Sequence, residues 1–198
     1  MKRRDALKKL GLAAGFAITA PSIFSLLQSC TSAPTWMPTY FTEDEKEVVI
    51  NLVDIILPKT EGTPSATEVN VPQFIDTYIT EVLNAADQEA IRISFTAIIA
   101  TLKPTAETAI RDITTAQYTA LLDTNLLVKG DIDEDRLADP EALQPTKNEF
   151  LNHLKHLTIT AYISSEEIGE NVLMYDPVPT AYYCGDLQEI SGGKSSSL

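Results

Sequence analysis

The sequence predicts an all-α protein: a small helical bundle with a long irregular C-terminal segment, preceded by an export signal. Two observations predict the bundle. Apolar residues recur at helical spacing through the middle of the chain, and runs that alternate as strands do are almost absent. A third observation, a basic and then apolar N-terminal stretch, predicts the signal. The 198 residues are enough for one domain and a targeting segment.

Residues 1–29 have the features of an export signal. Arg3 and Arg4, followed by Leu7 and Lys8, resemble the twin-arginine pattern R-R-x-x-L-K. The apolar stretch behind them is interrupted by Gly and Thr, and this mild hydrophobicity suits the twin-arginine route. Residues 27–30 (LQSC) resemble a lipobox, in which Cys30 is lipidated and becomes the mature N-terminus. We therefore expect a periplasmic, membrane-anchored lipoprotein; an uncleaved anchor helix is the alternative for these residues.

Charge separates the signal from the rest of the chain. The whole sequence has 15 basic and 28 acidic residues, a formal charge of −13. Five basic residues fall in the first nine positions, so removal of residues 1–29 leaves 10 basic and 27 acidic residues, a charge of −17. So acidic a surface repels the phosphates of nucleic acids. No nucleic acid partner is expected.

After a linker at 30–41, residues 42–190 form the predicted helical domain, and the Ser- and Gly-rich residues 191–198 a disordered tail. The first helix opens with a capping box of Thr42 and Glu45 and stops at Pro58. The second begins at Val71 and Pro72.

Three further helices are predicted. The third spans 87–103, and the fourth opens with a capping box of Thr114 and Gln117. An acidic loop at 130–139 leads to the last long helix, from Thr146 to about Ile163. The predicted core faces are Val48, Val49, Leu52, Val53 and Ile56; Phe74, Ile75, Tyr78, Ile79 and Val82; Ile91, Phe95, Ile98, Ile99 and Leu102; Tyr118, Leu121, Leu122 and Leu126; and Phe150, Leu154, Leu157 and Ala161.

The chain has two cysteines, Cys30 and Cys184. If Cys30 carries lipid, Cys184 has no partner in the chain. In an oxidising compartment such a thiol is either buried or tolerated, or joined to another protein, and both alternatives remain open. Two cysteines are too few for a cysteine-based zinc or iron–sulfur site.

Catalytic motifs are weak. Glu149, His153 and His156, spaced i, i+4 and i+7 on the last helix, could hold a metal, or the histidines could simply be solvated beside the core. The acidic loop at 130–139 suggests a calcium loop but lacks the glycine and final glutamate of an EF-hand, which favours a solvated loop. The sequence has no glycine-rich phosphate loop and no G-x-S-x-G elbow.

The segment after residue 164 is dense in Tyr and Pro. Such a segment either binds a partner or packs back onto the bundle. Gly169 is expected either to end a helix in a left-handed conformation or to contact a partner. The candidate partner interface comprises Ser165, Glu166, Gly169, Tyr175, Pro177, Pro179, Tyr183 and Cys184.

Two blocks of sequence resemble a known family. The opening block is 52–60 (LVDIILPKT), 63–68 (TPSATE) and 71–76 (VPQFID); the closing block includes 164–169 (SSEEIG) and 175–179 (YDPVP). Over about 42–185 the chain resembles the gluconate 2-dehydrogenase subunit 3 family. Ser65 and Thr180 depart from the family pattern, which commonly has Gly at both positions.

This resemblance implies a non-catalytic small subunit of a periplasmic, membrane-associated dehydrogenase of the glucose-methanol-choline type, acting on sugars, sugar acids or polyols. It implies no cofactor in this chain and FAD in a flavoprotein large subunit, with a membrane cytochrome c subunit as a further candidate partner. The small subunit would escort the folded large subunit through twin-arginine export. A stand-alone acidic lipoprotein that binds another partner is the alternative; a metal-dependent enzyme using Glu149, His153 and His156 is a remote one.

Overall fold

The computed structural model describes residues 36–103, 105, 107–126, 131–178 and 184–197. Pro38–Leu198 forms one compact unit; Met1–Met37 is a separate unit, of which only the last two residues are described. The predicted export signal and Cys30 therefore lie outside the described residues. Within those ranges the helices are α1 (Glu43–Ile56), α2 (Val71–Val82), α3 (Ala85–Leu102), a 3-10 turn (Ile110–Asp112), α4 (Thr115–Asn125), α5 (Glu134–Ala138), α6 (Lys147–Ile163), a π-helical turn (Glu167–Val172) and α7 (Leu187–Ser191).

The all-α prediction is confirmed. The described part of the chain has no β-strand, and its extended pairing is limited to two isolated bridges, Thr60 with Thr63 and Met174 with Ser196. No helix found there is both long and apolar enough to cross a membrane.

Two helices begin at the capping boxes that the sequence predicts. At α1, the Glu45 carboxylate accepts from the Thr42 N–H at 2.8 Å, and the Thr42 hydroxyl accepts from the Glu45 N–H at 3.3 Å. The capping box of Thr114 and Gln117 at α4 is also present. A third box, Thr146 with Glu149, starts α6. Each box satisfies amides that the first helical turn leaves without partners.

Helices α1 and α6 form the centre of the bundle. They contact each other, and each packs against α2, α3 and α4. Phe95 of α3 lies in the core, with its ring edge-to-face against Phe41 at 5.4 Å and Phe150 at 5.0 Å. Such contacts add to the free energy gained by burying the rings.

The predicted buried face of α2 is wrong in part. Ile75 and Ile79 are buried as expected, but Phe74 and Val82 are 44% and 62% exposed. The helix turns Asp76 inward instead, because that carboxylate serves the chain segment before α1. Phe74 stacks on Tyr78 on the outer side, with ring centroids 6.3 Å apart.

Three other expectations need correction. The acidic loop contains a short helix, α5, because Asp133 accepts from the Arg136 N–H at 3.1 Å and so caps a turn. Helix α3 begins at Ala85, two residues early, since Asn84 caps it. Leu151 and Thr158 of α6 are fully buried, although neither was predicted in the core. The predicted core residues that are only partly buried are Ile56, Tyr78, Ile91, Ile99, Leu126 and Leu157.

A polar network, which we call the entry clamp, fixes the segment before α1. The Asp76 carboxylate accepts from the backbone N–H groups of residues 39–41 at 2.8, 2.9 and 3.1 Å. Arg92 donates to the Glu45 carboxylate at 3.1 Å and to the Tyr40 carbonyl at 3.0 Å, and it lies 4.3 Å from the centroid of the Tyr40 ring. Because Asp76 and Glu45 are buried, these contacts satisfy groups that water does not reach.

Candidate interface site

The loop between α1 and α2, at 57–70, is held by its own backbone. The Ala66 N–H donates to the Leu57 carbonyl at 3.1 Å, and the Thr67 N–H donates to the Asp54 carboxylate of α1 at 2.8 Å. Gly62, at φ +85°, makes the tight turn in which Thr60 and Thr63 pair. The loop therefore has a defined shape before any partner arrives.

One ion pair spans this loop. The Lys59 ammonium lies 2.5 Å from the Glu68 carboxylate, which also accepts from the Ser65 N–H at 2.9 Å. The hydrogen bond from Lys59, and then that from Ser65, hold the pKa of Glu68 below its ordinary value. Both charged side chains are exposed, so the pair fixes geometry more than it stabilises the fold.

A π-helical turn follows α6 where the sequence predicts a loop. It spans Glu167–Val172, and Ile168 anchors it in the core at 1% exposure. Gly169 belongs to this turn and donates its N–H to the Ser165 carbonyl at 2.8 Å. Its φ is not positive, so the left-handed alternative for Gly169 is wrong. π-Helical turns are rare and are found frequently at functional sites.

The loop and the π-helical turn meet across the end of α6. Tyr162 of α6 donates its hydroxyl to the Pro64 carbonyl at 2.6 Å, which joins two segments that are 98 residues apart. Between them lies an open groove of about 760 Å³, which we call the loop–π groove. Its lining includes Lys59, Glu68, Asn70, Ser165, Glu166 and Glu167.

A second, smaller depression continues the loop–π groove toward α2. It shares Asn70, Ser165 and Glu166 with the first and adds Phe74. Two of the predicted interface residues, Ser165 and Glu166, therefore lie beside the opening sequence block, a proximity that the sequence analysis did not predict.

The remaining predicted interface residues lie further along the chain. Tyr175 is 44% exposed, and Pro177 and Cys184 are exposed. The buried alternative for the Cys184 thiol is therefore wrong. Pro179 and Tyr183 lie outside the described residues.

The C-terminal residues, predicted as a disordered tail at 191–198, contact this segment. The Met174 N–H donates to the Ser195 carbonyl at 2.9 Å, and the Ser197 N–H donates to the Met174 carbonyl at 3.0 Å. The end of the described chain therefore returns to the residue that precedes Tyr175.

The candidate metal site of Glu149, His153 and His156 is not formed. The Glu149 carboxylate accepts from Arg136 at 2.6 and 2.9 Å and from the Thr146 N–H at 3.0 Å. The hydrogen bonds from Arg136 hold the pKa of Glu149 below its ordinary value. His153 and His156 are exposed. Among the side chains that the structure describes, no three His, Cys, Asp or Glu form a group that could hold a metal ion.

Sequence reasoning missed half of this site. Asn70, the residue before α2, has φ +61°, a left-handed conformation that Asn tolerates better than most residues. It lines both depressions, with Phe74 one helical turn further on. The sequence signal for these residues is the opening block, which flanks Asn70 and contains Phe74.

Comparison with known proteins gives one match. The model of the family described as gluconate 2-dehydrogenase subunit 3 matches residues 43–179. A comparison with curated proteins and another with solved structures found no match. The family match spans well over half of the 198 residues and both halves of the groove. The chain therefore belongs to the gluconate 2-dehydrogenase subunit 3 family.

Proposed function

We propose that this chain is the non-catalytic small subunit of a periplasmic, membrane-associated, FAD-dependent dehydrogenase that oxidises sugars, sugar acids or polyols. It binds a flavoprotein large subunit of the glucose-methanol-choline type, escorts it through twin-arginine export, and stabilises and anchors it. The observation that carries this proposal is the family match over 43–179, since the family is named as one subunit of gluconate 2-dehydrogenase.

The chemistry of the sequence supports a binding role. The chain has no G-x-G-x-x-G segment with which to bind a dinucleotide, so the flavin is assigned to the large subunit. On α6, the Glu149 carboxylate is hydrogen-bonded to Arg136, and the two nearby histidines, His153 and His156, are exposed to solvent. Exposed residues such as Tyr175 and Glu166 are better suited to contacting another protein.

The proposed export route gives the two subunits a reason to assemble early. A twin-arginine signal suits a cargo that folds or binds its cofactor before export, and a small helical domain alone has no such need. In the proposal, Arg3 and Arg4 direct the export of both subunits, and lipid on Cys30 holds the complex at the membrane. Stable anchoring needs two or more acyl chains, because one chain binds a membrane only marginally.

Substitution of the two arginines tests the escort role. We expect the variant with Arg3→Lys and Arg4→Lys to leave both this chain and its large subunit in the cytoplasm. Cell fractionation and blotting for each subunit measure this, and a variant with Lys2→Arg and Lys9→Arg, which keeps the charge and leaves the twin-arginine pattern intact, serves as the control. Export of the large subunit at wild-type levels by the double arginine variant would contradict the escort role.

A further inference from the structure

We propose that the loop–π groove, together with Phe74 beside it, binds a basic segment of the flavoprotein large subunit, in which an arginine or lysine lies next to an apolar side chain. This inference rests on the proposed function, since it assigns the surface and the chemistry by which the small subunit holds that partner.

The charge of the groove indicates a basic occupant. Residues 156–193 contain six acidic residues and no Lys or Arg. Glu166 and Glu167 line the groove and are exposed, and within the described ranges no ion pair reaches either. Lys59 on the opposite wall is already paired with Glu68 at 2.5 Å. Two carboxylates are therefore available to a cationic side chain from a partner.

The groove is formed before binding. Hydrogen bonds from Ala66 and Thr67 hold the loop wall, and Ile168 holds the π-helical turn in the core. Glu167 also accepts from the Asn171 amide at 3.0 Å, which orients its carboxylate. A preformed acceptor pair loses little conformational freedom on binding, and carboxylates pair well with the fork of an arginine.

Phe74 provides the apolar part of the surface. Its ring is 44% exposed and stacks on Tyr78 with an angle of 13° between the ring planes. The stacking limits the positions that the ring can adopt, so little further ordering is needed when a partner covers it. An aromatic ring in this setting can receive an apolar side chain or the face of a guanidinium.

A second copy of this chain is a poor occupant of the groove. The sequence carries −13 overall and −17 without residues 1–29, so two copies repel each other. A basic segment of another protein is attracted by the same field, and the attraction weakens as salt screens it. Binding to the large subunit is therefore expected to depend on ionic strength.

Charge reversal tests the inference. The chain is co-expressed with a candidate flavoprotein large subunit of the glucose-methanol-choline type, and the affinity of the purified pair is measured at low and at high salt. We expect the variant with Glu166→Lys and Glu167→Lys to bind at least about tenfold more weakly at low salt, since like charges then face each other. The variant with Glu107→Lys and Glu141→Lys, exposed acids outside the groove, makes the same change in net charge and should bind normally.

Milder variants separate the two parts of the surface. Glu166→Gln with Glu167→Gln should remove most of the salt dependence without adding repulsion. Phe74→Ala should weaken binding about tenfold while leaving the salt dependence unchanged. Circular dichroism melts identify variants that fold normally, and the glutamine pair conserves side-chain size if the lysine pair does not fold.

The outcomes distinguish this inference from the function on which it rests. If the wild-type chain binds no flavoprotein, the proposed function is wrong. If the wild-type chain binds but the lysine and glutamine pairs bind with unchanged affinity and salt dependence, the large subunit is held elsewhere and only the groove assignment is wrong. If the control pair weakens binding as much as the groove pair, general charge rather than this groove governs association, and the assignment is again wrong.

Discussion

The two ends of the helical domain use their carboxylates in opposite ways. At the entry clamp, Asp76 and Glu45 are 2% and 4% exposed and accept hydrogen bonds from backbone amides and from Arg92. In the described residues from 164 to 197, only Ile168 and Ser191 are buried, and the acidic side chains face water. The same acidic composition therefore stabilises the fold at one end and leaves a charged surface at the other.

Substitutions in these two regions should therefore affect different quantities, the stability of the fold in one case and the affinity for a partner in the other. Substitutions in the entry clamp should lower the free energy of unfolding, because they strand buried polar groups. Substitutions among the exposed residues after α6 should leave that free energy almost unchanged and act on partner affinity instead.

Removal of the Asp76 carboxylate should lower the free energy of unfolding more than any other substitution considered for this protein. Asp76→Ala leaves the backbone N–H groups of residues 39–41 without their acceptor, and we expect the free energy of unfolding to fall by about 3 kcal/mol or more. Urea denaturation followed by circular dichroism measures the change. Asp76→Asn, which keeps one acceptor oxygen, should lie between the wild type and the alanine variant.

Asp123→Ala is the matched control, since Asp123 is exposed on α4 and should alter stability by less than about 0.5 kcal/mol. If Asp76→Ala were no more destabilising than Asp123→Ala, the contrast between the two ends of the domain would be lost.

The buried Tyr118 should make the free energy of unfolding depend on pH in the alkaline range. Its ring is fully buried, and its hydroxyl has no hydrogen-bond partner among the described residues. Burial, with smaller contributions from Glu47 and Asp44, raises the pKa of Tyr118 to about 12 from 10.0. Between pH 10 and about pH 12 the Tyr118 hydroxyl therefore stays protonated in the folded protein but loses its proton in the unfolded chain. The free energy of unfolding keeps its full value below pH 10 and falls as the pH rises to about 12.

Tyr118→Phe removes that titration. At neutral pH the variant should match or exceed the wild type by up to about 1 kcal/mol, because a buried hydroxyl without a partner is lost. Between pH 10 and pH 12 the wild type should lose up to about 2 kcal/mol relative to the variant. Denaturation curves across this range measure the difference, and parallel curves for the two proteins would show that Tyr118 ionises equally easily folded and unfolded.

Tyr175 should have the smallest effect on stability. Because its side chain is 44% exposed, Tyr175→Ala should change the free energy of unfolding by less than about 0.5 kcal/mol. If Tyr175 lies at the centre of the partner interface, the same change should weaken binding of the large subunit by about 2 kcal/mol. Co-purification of the large subunit with Tyr175→Ala and with Cys184→Ser, each confirmed as folded, measures this. Undiminished recovery of the large subunit would show that the segment after residue 164 packs on the bundle without binding the partner.

Local signals in the sequence predicted the helices well. The capping boxes at Thr42 and Thr114 each join residues within four positions of the chain, so a local sequence pattern is enough to predict them. The helix face of α2 was less predictable. A pattern of apolar residues pointed Phe74 and Val82 inward, but the requirement for an acceptor at residues 39–41 turned Asp76 inward instead.

Long-range contacts account for what was missed at the candidate site. The loop–π groove exists because Tyr162 reaches Pro64, and no local pattern records a contact over 98 residues. The π-helical turn was also missed, since Gly169 signals a left-handed end to a helix more often than a wide turn. The sequence did identify Ser165 and Glu166 as interface candidates, but not the loop wall opposite them.

We propose that this chain binds a flavoprotein large subunit and performs no redox chemistry itself. To test this, the tagged chain is purified alone and with a candidate flavoprotein large subunit of the glucose-methanol-choline type, and flavin absorbance and sugar oxidation are recorded for both samples. We expect a complex of the two chains that contains flavin and oxidises its substrate, and an isolated chain with neither property. Flavin retained by the isolated chain, or failure of the two chains to associate, would contradict this proposal.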